Sequence, residues 1–167
     1  SKDYLNESFN RILVKSVSID ESKNIEYRQF SDFPTFINRN LNIDFPEILV
    51  DAVEDFTFFV YSQSEGNRVG LIAKLGADAD ITDALQEWEN TSMIVDLGPL
   101  LSLTNLDLDV TGIEIFNDNV YKDQNIRYAN FNNPAIAIDY TVLQPENYLV
   151  ITTSRDSMYA VIDNLFQ

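Results

Sequence analysis

Cysteine and histidine are both absent from the 167 residues. Without cysteine there are no disulfide bridges, no thiolate zinc sites and no thiol nucleophile. Without histidine the commonest general base and metal ligand is missing, so Ser-His and Cys-His catalysis are excluded. The lack of cysteine is compatible with an exported domain that folds without bridges, and equally with a cytosolic one. Basic residues are scarce as well, 11 Lys and Arg against 27 Asp and Glu, which gives a formal net charge of −16. A chain this acidic repels phosphate backbones and anionic lipid head groups, which argues against nucleic-acid binding and against direct membrane association. No apolar run approaches the roughly 18 to 20 residues of a membrane span. The opening SKDYLNESFN lacks the apolar core of a signal peptide. The abrupt start at Ser1-Lys2-Asp3 reads as a domain excised from a longer chain, with any signal or anchor lying upstream.

What is present suits one domain spanning residues 1–167, since 45% hydrophobic content at this length buries roughly two-thirds of the unfolded surface. The most informative stretch is the last. Ile136, Ile138, Tyr140 and Val142 alternate with smaller or polar residues, the period of a half-buried strand. A turn at Gln144-Pro145-Glu146-Asn147 leads to a second strand from Tyr148 to Thr153. Met158, Val161, Ile162 and Leu165 then fall at i, i+3, i+4 and i+7, the stripe of a helix packing back onto that hairpin. The pattern predicts one buried cluster of Ile136, Ile138, Ile151, Val161, Ile162 and Leu165 with Trp88 nearby.

Upstream, Asp3 to Phe9 reads as a short helix, Ile12 to Ile19 and Ile25 to Phe30 as strands. Ser31-Asp32 caps a helix over Phe33 to Leu41, and the start signal recurs at Asp44-Phe45-Pro46-Glu47. Phe56 to Ser62 and Val69 to Leu75 flank a turn at Glu65-Gly66-Asn67 and form a hairpin. Asp80 precedes a helix with Ile81, Ala84, Leu85 and Trp88 on one stripe, interrupted near Glu89 to Thr91. Helix resumes over Ser92 to Leu103, with a break expected at Gly98-Pro99. Strands follow between Leu106 and Tyr128. The two hairpin–helix units align at a shift of 77 residues, Phe59 on Ile136, Tyr61 on Ile138, Ile81 on Met158, Leu85 on Ile162 and Trp88 on Leu165, which raises the expectation of two partly similar halves. The predicted fold is α+β: an antiparallel sheet built from hairpins, with helices packed on one face.

Several stretches carry candidate chemistry. Asp107, Asp109 and Thr111 occupy positions 1, 3 and 5 of a calcium-type loop, with Gly112 at position 6 and Asp118 at position 12. Glu114 stands where an apolar residue is usual, and Leu106, Leu108 and Val110 also alternate as a strand whose bulge is Thr111-Gly112. The Asp78, Asp80 and Asp83 carboxylates suit a cation or the cap of the following helix. Phe56, Phe58, Phe59 and Tyr61 suit a sugar-stacking platform, although alternating faces of one strand place half of them in the core. Ser154-Arg155-Asp156-Ser157 lacks a base in sequence reach and reads as a hydroxyl cap. Paired carboxylates for hydrolysis are available, with no pair singled out.

The succession PEILVDAVEDFTFFVYSQSEGNRVGLIAKL, DALQEWENTSMIVDLGPLL, FNDNVYKDQNIRYA and ENYLVITTSRDSMYAVIDNLF resembles the C-terminal extracytoplasmic domain of uncharacterised membrane-anchored proteins of candidate-phyla bacteria, Parcubacteria and their relatives. The resemblance covers roughly Ile12 to Phe166 in element order and rests mostly on core pattern. It implies an exterior domain tethered by one N-terminal transmembrane helix, and it transfers no activity or site residue. Three functions follow as expectations. The first is a non-enzymatic interaction or structural domain with a protein or cell-surface partner and no cofactor. The second is a calcium-dependent binding or adhesion module using Asp107, Asp109, Thr111 and Asp118, and the third is a carboxylate-dependent hydrolase.

Overall fold

The structure is a computed structural model that describes residues 8–11, 15–19, 25–29, 32–104, 115–133 and 135–166, the first three segments as backbone. Its centre is a seven-stranded antiparallel sheet in the order β1-β4-β5-β9-β8-β7-β6. The strands are β1 (Ser8–Arg11), β4 (Val53–Gln63), β5 (Gly66–Leu75), β6 (Asn117–Tyr121), β7 (Gln124–Asn130), β8 (Ala137–Leu143) and β9 (Tyr148–Thr152). β2 (Lys15–Ile19) and β3 (Ile25–Gln29) pair separately as a two-stranded antiparallel hairpin. The α+β class and the sheet assembled from hairpins are therefore as the sequence predicts.

Both faces of the sheet are covered, and strand alternation shows why. On β9, Leu149 and Ile151 join one core cluster whereas Val150 joins another; on β5, Val69, Leu71, Ala73 and Leu75 point one way and Gly70 and Ile72 the other. One face carries a seven-residue π-helix (Thr35–Leu41), α1 (Glu47–Ala52), α2 (Thr82–Thr91), α3 (Met93–Asp96) and α4 (Gly98–Ser102). Among the described residues the other carries α5 (Arg155–Leu165) alone. The helices thus divide between two faces instead of one, because β8 and β9 are buried on both sides and Leu143 and Val150 need a second layer to cover them. The predicted single cluster divides with them. Ile136, Ile138, Ile151 and Trp88 lie in the first core, Val161 and Ile162 in the second, and Leu165 is 41% exposed at the end of α5.

This division also corrects the two-halves expectation. An axis perpendicular to the sheet that carries β4–β5 onto β8–β9 leaves each face where it was, yet α2 and α5 lie on opposite faces. Phe59 and Tyr61 accordingly sit under α5, and their partners in the alignment, Ile136 and Ile138, sit on the other side.

Three local features differ from expectation. Ser8 and Phe9 belong to a strand that extends β4 at its free edge, where sheet hydrogen bonds replace a helix too short to nucleate; the rest of that predicted helix lies outside the described residues. The first helical interruption falls at Ser92, just after the predicted positions at Glu89 to Thr91, and the second, at Leu97, directly precedes Gly98-Pro99, where a break is expected. Asp96 organises the first break, accepting the Trp88 indole N–H at 2.7 Å and the Ser92 hydroxyl at 2.5 Å. The segment over Phe33 to Leu41 is wound as a π-helix from Thr35 and ends at Asn42 in the left-handed region, φ 55°. Asp32 Oδ1 accepts the Thr35 N–H at 2.7 Å, as its capping role requires.

Candidate functional site

The N-terminal end of α5 is where the polar chemistry of the molecule converges. Ser154 caps the helix: its Oγ accepts the Ser157 N–H at 3.2 Å, and Ser157 Oγ donates back to the Ser154 carbonyl at 2.8 Å. Gln63, from the end of β4, accepts the Ser154 hydroxyl at 3.0 Å and so fixes the helix start against the β4–β5 turn. The first N–H groups of a helix have no intrahelical acceptor and carry the positive end of its dipole. In α5 these belong to Arg155 and Asp156, whose side chains are exposed. Beside them opens a concavity of about 470 Å³ lined by Gln63, Glu65, Asn130, Asn133, Arg155 and Asp156, with Ala135, Ala137 and Ser154 filling its walls.

Two buried side chains on the same face of the sheet are left incomplete, though neither lines the concavity. Arg68 has no exposed surface; its Nε donates to the Ala135 carbonyl and its Nη1 to the Asn67 carbonyl, each at 3.0 Å, and its Nη2 has no partner among the described residues. Asp139 is 2% exposed, and its Oδ1 likewise has no partner among them. Alternation places both on the α5 side of the sheet, since Val69 and Ile138 point to the opposite core. They are the two orphaned buried side-chain atoms among the described residues, and Asp156 on the pocket wall is a charged neighbour of both. Burial pulls the Arg68 guanidinium below its ordinary value, opposed by Glu65 and Asp156. Burial pushes the Asp139 carboxyl from 3.8 up to about 7; Arg155 counters this and Asp156 reinforces it. An unsatisfied buried donor or acceptor costs about 1–3 kcal/mol, more when charged. Native proteins keep few of them, and perturbed groups of this kind collect at functional sites.

A second polar cluster, on the opposite face, has the contrary character. Arg127 on β7 donates from Nε to Glu89 Oε2 at 2.9 Å, pairs through Nη2 with Glu89 Oε1, and donates from Nη1 to Asp118 Oδ1 at 2.7 Å. The Tyr140 hydroxyl donates to Glu89 Oε2 at 2.5 Å. Burial pushes Glu89 up, but Arg127 and Tyr140 more than offset it and hold the carboxylate below its usual range. Every member is partnered, so the cluster straps α2 to β6, β7 and β8. A smaller concavity of about 330 Å³ between α1 and the α2–α3 break, bordered by Asp44, Ile48, Glu87, Trp88 and Asp96, has its indole N–H already committed to Asp96.

The sequence-predicted site residues distribute as follows. Asp107, Asp109 and Thr111 lie outside the described residues. Asp118 is exposed on edge strand β6 and engaged with Arg127. Among the described residues no group of three or more acidic side chains is arranged to hold a metal ion. Asp80 Oδ1 accepts the Thr82 N–H at 3.1 Å, the capping role. Phe58, Phe59 and Tyr61 are buried and Phe56 packs against Phe33 and Phe36, so no stacking platform is exposed on β4. Sequence reasoning passed over Arg68 and Asp139. The available signal was Asp139 itself, a single carboxylate inside the apolar run Ile136 to Leu143.

No helix among the described residues is long and apolar enough to cross a membrane. Comparison with family models, with curated proteins and with solved structures finds no match, so the reading of the site rests on its own geometry.

Proposed function

We propose that this chain is a non-enzymatic interaction domain, and that it binds its ligand in the polar concavity at the start of α5. The observation that supports this most is the concavity itself, polar-walled and open beside the exposed first turn of α5, on the sheet face that also carries the two orphaned buried atoms, Arg68 Nη2 and Asp139 Oδ1. A fold that needed neither group would gain stability from apolar replacements there. The placement of the domain outside the cytoplasm, held to a membrane by an upstream anchor, is proposed from the resemblance of its core pattern to tethered bacterial proteins. A thermal-shift screen of small polar compounds tests the binding reading: a ligand should raise Tm in the natural chain and lose most of that effect in Asn130→Ala, an exposed wall residue. A screen that returns ligands indifferent to Asn130 sinks it. Membrane attachment is tested by fractionating the full-length protein, which should resist salt extraction and yield to detergent.

The hydrolase reading gains one observation. Asp139, raised to about 7, stands near Asp156, and carboxyls whose environments push their pKa values apart can serve as acid and base. Its burial keeps Asp139 from a bond held in the concavity, which is why binding is preferred. Turnover of a glycoside or ester substrate that is lost in Asp139→Asn would reverse that preference.

A further inference from the structure

We infer that Arg155 is a pH-operated latch on the wall of the concavity: it rests on the Tyr128 ring while Asp139 is protonated and swings to the Asp139 carboxylate once that proton leaves. The inference needs no ligand, so it stands or falls apart from the binding reading. Tyr128 on β7 and Asp139 on β8 are directly opposed in the sheet register. Opposed residues share a face, with their side chains starting about 5 Å apart. Arg155, in the first turn of α5, holds its guanidinium over the Tyr128 ring, 5.7 Å from the centroid, and makes no hydrogen bond or ion pair among the described residues. The carboxyl beside that ring is buried, and its Oδ1 has no partner among them. Among these residues an uncommitted cation and an unsatisfied acceptor therefore stand one strand apart. A long arginine side chain covers that step by changing rotamer, without movement of the backbone.

Ionisation decides between the two positions. The charged and titratable groups around Asp139 are Arg155 and Asp156 from α5 and Tyr128 from β7; Thr152, opposite it on β9, is uncharged and donates its hydroxyl to the Ser154 carbonyl at 3.1 Å. Arg68 on β5 is held by the Asn67 and Ala135 carbonyls, and its charged neighbours are Glu65 and Asp156. Among the described residues this leaves Arg155 as the cation able to answer the carboxylate. A neutral carboxyl gives the guanidinium no reason to leave the ring. An ionised one does, because a buried carboxylate without a partner is costly and a charge-assisted hydrogen bond outweighs an exposed cation–π contact. Asp156 repels the ionised carboxyl and adds to its demand for a cation. Burial raises the Asp139 carboxyl to about 7, so the swing falls near neutrality, and recruitment of the cation draws its midpoint somewhat lower. Arg155 lines the concavity, which therefore presents a guanidinium in acid and loses it to the sheet as pH rises.

Side-chain NMR of the whole chain from about pH 5 to about pH 9, either side of the raised value of about 7, tests this. Two signals are followed together: the cross-relaxation between the Arg155 δ-methylene and the Tyr128 ring protons, and the carboxyl carbon of Asp139. The ring contact should be present at the acid end and lost at the alkaline end, in step with the carboxyl. In Asp139→Asn it should persist throughout. Arg155→Gln changes an exposed side chain and so spares the fold; it should raise the Asp139 midpoint by about one unit or more, the effect of losing an opposite charge at contact range. That variant decides the matter where Asp139→Asn fails to fold. A ring contact that persists while Asp139 titrates overturns the latch. So does a loss of contact that survives in Asp139→Asn, or an Asp139 midpoint that moves by less than about one unit in Arg155→Gln.

Discussion

Asp139 is the residue on which most of the account turns, and its titration has a definite sign. Its carboxyl is raised from 3.8 to about 7 in the folded chain, so between those values the folded state binds more protons than the unfolded state. Stability contributed by this group is therefore greatest in acid and falls as pH rises to about 7, by roughly 4 kcal/mol if the whole shift is expressed. Lowered carboxylates such as Glu89 and Asp163 act in the opposite direction, and comparison with a variant separates them. Asp139→Asn should match the natural chain only near pH 3, below the unfolded value, and exceed it in Tm by a margin that grows up to about pH 7, measured by thermal denaturation; a difference that does not change with pH would show the carboxyl to be hydrated and normal. Packing supplies a second residue-scale prediction. Ile162 has no exposed surface, and Ile162→Ala should cost about 2–5 kcal/mol in urea denaturation. Leu165, at the same stripe spacing but 41% exposed, should cost less than about 1 kcal/mol as alanine.

At the scale of elements, the contrast between Ile162 and Leu165 shows how far the sequence could be read. Periodicity identified the helix from Met158 onward and the hairpin before it, because an apolar stripe and a strand alternation are local patterns. It gave no account of which sheet face the helix would cover, because β8 and β9 are buried on both sides and the choice depends on what else must be buried. The aromatic cluster of Phe33, Phe36, Phe45, Phe56 and Trp88 occupies the other face through the π-helix, α1 and α2, which leaves α5 the remaining side. The site was illegible for a related reason. Gln63, Asn130, Ala137 and Arg155 come from four elements that meet only once the strand order is known. Single polar residues in apolar strands carry no spacing signal, whereas the calcium-type loop and the Ser154 cap are contiguous and could be named. The cap proved structural, with Ser154 accepting the Ser157 N–H.

For the molecule as a whole, the dominant fact is the −16 charge. Folding draws carboxylates together, and monovalent salt should raise Tm modestly by screening over a Debye length of about 8 Å at physiological ionic strength. Calcium and magnesium at equal ionic strength should give equal small shifts, read in the same thermal assay. A calcium-specific gain that vanishes in Asp107→Ala would instead promote the calcium module, and the ion pair of Asp118 with Arg127 would then have to open. The central claim, that ligand binding belongs to the concavity at the start of α5, is tested most directly by two-dimensional amide NMR of the labelled chain titrated with the compound that raises Tm most in the thermal-shift screen. The account predicts shifts concentrated at Gln63, Glu65, Asn130, Asn133, Arg155 and Asp156, together with the side-chain amides among them. Shifts confined to the edge strand Asn117–Tyr121 or to the concavity beside Trp88, or no shifts at all, would contradict it.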